Sequence, residues 1–105
     1  AATDLLLASR RKFTAIFCAN DQMAYGAALS LHRKGLRTPE DVSLIGFDDI
    51  YHSLYVAPPL STIHQPAYDM GRLTASSILQ MLAGNKPTAA MPAPELIIRE
   101  STAKL

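Results

Sequence analysis

The sequence predicts an α/β protein, a parallel sheet with flanking helices. Two short runs, Ala15–Ala19 and Val42–Phe47, are apolar throughout rather than alternating, which is the pattern of strands covered on both faces. One helical segment, residues 21–34, separates them and completes a right-handed β-α-β unit. Each run ends in a polar pair, Asn20-Asp21 and Asp48-Asp49, at the carboxyl ends of the strands. Open parallel sheets bind their ligands at that edge.

The elements follow in order. Residues 1–9 (AATDLLLAS) read as the last turns of a helix, with Arg10-Arg11-Lys12 at its carboxyl end. The chain is therefore expected to be a piece of a longer one. Cys18 sits inside the first strand and reads as a buried structural thiol. In helix 21–34, Asp21 supplies negative charge to the first turn and Gly35 ends it. Met23, Ala24, Ala27 and Leu31 form one apolar stripe, and Tyr25, Ala28, Leu29 and His32 a second. A helix apolar on two sides is covered on two sides. Either a partner subunit or a neighbouring helix of the same chain could cover the second. Pro39 marks a loop before the second strand, and Gly46 thins that strand where backbone or ligand approaches. Residues 50–59 read as an irregular connection and Leu60–His64 as a third strand. Pro66, at the first helical position, opens a second long helix that Gly84 stops. Its methionines read as core. Glu95–Arg99 is the last strand, and residues 100–105 a polar tail.

Composition excludes several classes. The 105 residues suit about one small domain. Nearly half are hydrophobic, and a net charge of +1 does not by itself mark a nucleic-acid face. No apolar stretch approaches the roughly 20 residues that span a bilayer, and no signal peptide is read. The lone Cys18 cannot form an internal disulfide, in keeping with a reducing compartment. His32, His52 and His64 are scattered without nucleophile partners, and Ser61 is not in a G-x-S-x-G elbow. There is no G-x-G-x-x-G, no P-loop and no metal-ligand spacing. Asp48-Asp49 would point opposite ways on an extended chain and form no dyad. Neither an enzyme, a metal nor a cofactor is expected.

Five stretches, NDQMAYGA, PEDVSLIGFDDI, YVAPPLSTIHQP, MGRL and PELIIREST, in this order resemble the effector-binding core of lactose- and galactose-repressor type regulators, from about Phe13 to Thr102. The resemblance implies a fragment of a two-lobed, periplasmic-binding-protein-like type I fold. Residues 13–60 would belong mainly to the C-terminal lobe and 61–66 to the crossover. Residues 67–83 would form a helix of the other lobe, and 94–99 a final strand back in the C-terminal lobe. Asn20 and Asp48 would bind a small-molecule effector, a sugar or nucleoside-like compound, with Gln65 joining them. Asn20 could equally cap its helix and Asp48 hold a loop. Asp21 reads as structural, and Asp49 is open between a loop-stabilising and a supporting role. Tyr25, Ala28 and Tyr55 would lie at a homodimer interface. The implied function is effector sensing and dimerisation in a cytoplasmic transcriptional repressor. Operator DNA would be reached only through an N-terminal domain absent here, and no membrane is involved. A periplasmic sugar-binding protein of a transporter is the alternative. As a fragment, the chain is expected to expose apolar surface where the rest of the core would sit.

Overall fold

The computed structural model describes residues 2–104; Ala1 and Leu105, the outermost residues of the expected first helix and tail, lie outside them. The elements are α1 (Ala2–Ala8), β1 (Ala15–Phe17), α2 (Asp21–Arg33), β2 (Ser43–Ile45), a 3-10 turn (Tyr51–Leu54), β3 (Thr62–His64), α3 (Ala67–Leu82) and β4 (Glu95–Ile97). Chain contacts divide into two units, residues 1–64 with 96–105, and residues 65–95.

In the first unit β1 and β2 run parallel, Ala15 opposite Ser43 and Phe17 opposite Ile45. The regular strands are shorter than the apolar runs, yet their hydrogen bonds continue, Cys18 N to Ile45 O and Asp21 N to Phe47 O, both 2.9 Å. Parallel bridges join Ile45 to Ser61 and Asp48 to His64, and β4 pairs with β3. Ser101 fills the gap between β2 and β3. Its hydroxyl donates to Leu44 O (2.6 Å) and accepts from Ser61 N (2.8 Å). A fully buried serine is stable there because both capacities are used.

Cys18, Ala24, Ala27, Leu31, Val42, Leu44 and Leu60 form the core. The two alanines let α2 approach the sheet closely. Both long helices end as expected, with Gly35 and Gly84 at positive φ (73° and 81°). Leu36 N reaches Leu31 O and Asn85 N reaches Gln80 O, the paired closure that a left-handed residue permits.

Four expectations are corrected. Residues 50–59 are not wholly irregular, because Tyr51–Leu54 forms a 3-10 turn. Pro66 precedes α3 instead of opening it. Met23 is 54% exposed and not part of the buried stripe. With Leu6, Ile16 and Phe17 it lines an open groove of about 620 Å³ on the outer side of β1, which has no further strand among the described residues. The methionines of α3 are not core either: no residue of that helix is fully buried, and Met81 is 62% exposed. Its own unit offers only the loop that follows it.

Burial pushes the Cys18 thiol above its ordinary pKa, which makes it a poor nucleophile. Iodoacetamide is expected to label it only at denaturant concentrations that unfold the chain. Labelling at the rate of a free thiol in native buffer would contradict this packing.

Candidate functional site

The site is built where β1 and β2 end. Asn20 is extended (φ −155°) and caps α2, its side-chain oxygen accepting from Met23 N at 2.8 Å. This is the capping role that the sequence left open, and the side-chain NH2 group remains for another partner. Asp21 follows and is completely buried. Its Oδ2 accepts from Ile50 N (2.9 Å) and Ser53 Oγ (2.6 Å), and its Oδ1 from Thr62 Oγ1 (2.5 Å). One carboxyl group thus joins the start of α2, the loop after β2 and the start of β3. Gly46 makes this possible, because a Cβ there would run into Asp21 Oδ1 and come within 2.9 Å of Leu60 Cδ2.

Beyond Gly46 the chain turns sharply. Asp48 has φ 106° and Asp49 φ 56°, both in the left-handed region. The expectation of an extended chain at this pair is therefore corrected. The partners of the Asp49 carboxyl group are Arg99 and His64. Asp49 Oδ1 accepts from Arg99 Nη2 at 2.6 Å, and His64 Nδ1 lies 3.0 Å from Asp49 Oδ2. Asp48 is exposed, with its backbone N bonded to Ile63 O at 2.9 Å. Such backbone conformations cost about 1–3 kcal/mol each in non-glycine residues and persist only where their surroundings enforce them.

Gln65, the third expected ligand residue, begins the second unit. Of the expected interface residues, Tyr25 is half-buried and its hydroxyl lies 2.7 Å from Ser53 Oγ. Ser53 gives its proton to Asp21, so Tyr25 donates. Burial raises the Tyr25 pKa above its ordinary value. Tyr25 and Ala28 face Val56 and Pro58 of the same chain across a cavity of about 120 Å³. Tyr55 is 68% exposed and packs its ring at a 55° tilt against Tyr51, centroids 5.0 Å apart, with its hydroxyl donating to Tyr51 Oη at 3.0 Å. The sequence reading missed Arg99, Ser53 and Thr62. Thr62 and Arg99 lie in stretches that carry the resemblance, but nothing local assigns them a role, and only the fold brings Ser53 and Thr62 to Asp21 and Arg99 to Asp49. Among the described residues no three His, Cys, Asp or Glu side chains gather as a metal site, and no helix is long and apolar enough to cross a membrane.

The profile described as periplasmic binding protein-like domain matches residues 1–102. The HTH-type transcriptional repressor PurR of Haemophilus influenzae is 45% identical over 101 residues, 91% of this chain and 30% of the relative. The ribose operon repressor of the same organism is 39% identical over 99 residues, again 91% of this chain and 30% of the relative. A solved structure of the lac repressor dimer bound to operator and the anti-inducer ONPF is similar with a TM-score of 0.88 at 32% identity, over 98% of this chain and 36% of that one. The chain spans less than a third of the length of these two curated relatives.

Removing the Asp21 carboxyl group strands two hydroxyls and an amide. Asp21→Ala is expected to lower stability by about 3 kcal/mol. Gly46→Ala, which overpacks the same point, is expected to cost about 2 kcal/mol. Urea denaturation midpoints measure both; losses under about 0.5 kcal/mol, the range of ordinary surface changes, would contradict the assignment.

Proposed function

The chain belongs to the periplasmic binding protein-like domain family, and from that premise we propose that it is the effector-sensing and dimerising portion of a bacterial transcriptional repressor of the lactose- and galactose-repressor type. The observation that carries the reading is the strand-end turn: Asp48 is exposed at φ 106° beside the end of the strand whose neighbour ends in Asn20. Backbone strain of this kind concentrates where a ligand is met. Asn20, Asp48 and Gln65 bind the effector. Asp48 accepts hydrogen bonds and the Asn20 NH2 group donates them, which suits hydroxyls that both donate and accept. The effector class is accordingly a sugar or a nucleoside-like compound, and the likeness to a ribose operon repressor supports a sugar.

The dimer face is formed by Tyr25, Ala28 and Tyr55, where Tyr51, Leu54 and Tyr55 leave aromatic and apolar surface exposed. The likeness to a repressor crystallised as an operator-bound dimer supports both the homodimer and the DNA target. Operator contact belongs to a domain outside this chain, in a cytoplasmic protein with no catalytic role. The division into two contact units supports a two-lobed core, with residues 13–60 mainly in one lobe, 61–66 the crossover, 67–83 in the other lobe and 94–99 back in the first. Effector binding favours one lobe arrangement over another and so changes operator affinity by its difference in affinity for the two. The similarity to named repressors weighs against a transporter's binding protein.

A thermal-shift panel of D-ribose, D-galactose, D-glucuronate and hypoxanthine, applied to the full-length regulator that carries this chain, tests the reading. At 100-fold excess over Kd a bound ligand stabilises by about 2.7 kcal/mol. One sugar is expected to raise the melting midpoint, and Asp48→Ala to abolish the rise. A rise that survives in Asp48→Ala would remove this strand end from the pocket.

A further inference from the structure

We propose that Arg99 is a positioning residue for the effector site, acting through Asp49 to hold the backbone turn from which Asp48 projects; its functional half rests on the reading that Asp48 meets the effector.

Arg99 is nearly enclosed, its side chain 14% exposed. It donates three bonds to three different groups, and its carbonyl accepts a fourth from Ser61 Oγ (3.2 Å). Nη2 donates to Asp49 Oδ1 (2.6 Å), Nη1 to Leu60 O (2.8 Å), and the backbone N to Ser61 Oγ (2.8 Å). A planar guanidinium reaches a carboxylate and a carbonyl at once, whereas the single ammonium of lysine does not hold that fork. The other oxygen of Asp49 is taken by His64. His64 is the last residue of the first unit before the chain leaves it, and Arg99 lies just past the return at Leu96. One carboxyl group therefore fastens both passages of the chain.

The turn is held on both sides of Asp48: Asp21 N bonds Phe47 O before it, and Arg99 holds Asp49 and Asp21 holds Ile50 after it. Between these fixed points residues 48 and 49 keep left-handed conformations, whose cost in a non-glycine residue the surroundings must offset. What remains exposed at the turn is Asp48. Arg99 does not need to touch the effector for its loss to be felt, because a relaxed turn re-aims the Asp48 carboxyl group.

The test reads amide hydrogen exchange by NMR in the ligand-free full-length regulator, comparing wild type, Arg99→Gln, Asp49→Asn and the double variant. Each single change is expected to speed exchange of the Asp48 amide about tenfold or more, the scale of one charge-assisted hydrogen bond. The Ala27 and Leu31 amides of α2 should keep their rates, and the double variant should exchange no faster than the singles. An unchanged Asp48 amide, equal acceleration in α2, or additive effects would overturn the clamp. The panel sugars read the functional half: their midpoint shift is expected to shrink in Arg99→Gln but not in Ala27→Gly, a core variant without contact to the turn. Equal shifts in the two variants would overturn that half. Exchange is read without ligand, so a wild-type protein that binds none of the panel would sink the sensor reading, while the exchange rates would still decide the clamp.

Discussion

The buried carboxyl group of Asp21 is the constraint from which the first unit is built. It sits at the amino end of α2, where the helix dipole and free backbone N–H groups favour an acceptor. From there it reaches the loop after β2 and the first residue of β3. A polar group with no exposure is tolerated only when its bonds are made, and here they are made to three separate groups. Apolar packing by a small core of alanines and leucines could bring α2 to the sheet, but it could not fix where the loop beyond β2 returns. Directional bonds to Asp21 do so, and Gly46 gives up its side chain to let them form.

That arrangement links the fold to the proposed function in two directions. Toward the strand ends, Asp21 and the Arg99–Asp49 pair hold the backbone that follows Asp48. Toward the helix face, Ser53, in the 3-10 turn that begins at Tyr51 and is followed by Tyr55, passes the Asp21 network to the Tyr25 hydroxyl of α2. From the backbone of Ile50, two residues past Asp48, to the Tyr25 hydroxyl of the proposed dimer face, the bonds through Asp21 and Ser53 form one chain. Such a chain is a physical route by which an event at one end biases the other, and demonstrating coupling along it requires variants at both ends.

The apolar runs and the polar pairs that end them were legible in the sequence because parallel strands bury both faces and have short, unbroken hydrophobic stretches. The helix ends were legible because Gly35 and Gly84 take a conformation other residues avoid. The turn at Asp48-Asp49 was not, since no glycine marks it and Arg99, the partner of Asp49, lies 50 residues away. The 3-10 turn at Tyr51–Leu54 is too short for any periodicity and is fixed through Ser53 by a partner 32 positions distant. Met23 follows the spacing of the buried stripe but falls toward the open side of β1, a distinction that depends on where the sheet ends. Asn20 stood out at its strand end as both a cap and a ligand residue; the structure shows the cap, and the role toward ligand stays a proposal.

The most direct measurement is the crystal structure of the full-length regulator with the sugar that raises its melting midpoint. The account predicts the Asp48 carboxyl group and the Asn20 side-chain NH2 within hydrogen-bond distance of the sugar hydroxyls. Asp49 should still be held by Arg99 and His64, and Asn20 should still cap α2. An ordered sugar bound away from both strand ends, or an Asp48 side chain turned into the protein while the sugar is bound, would contradict it.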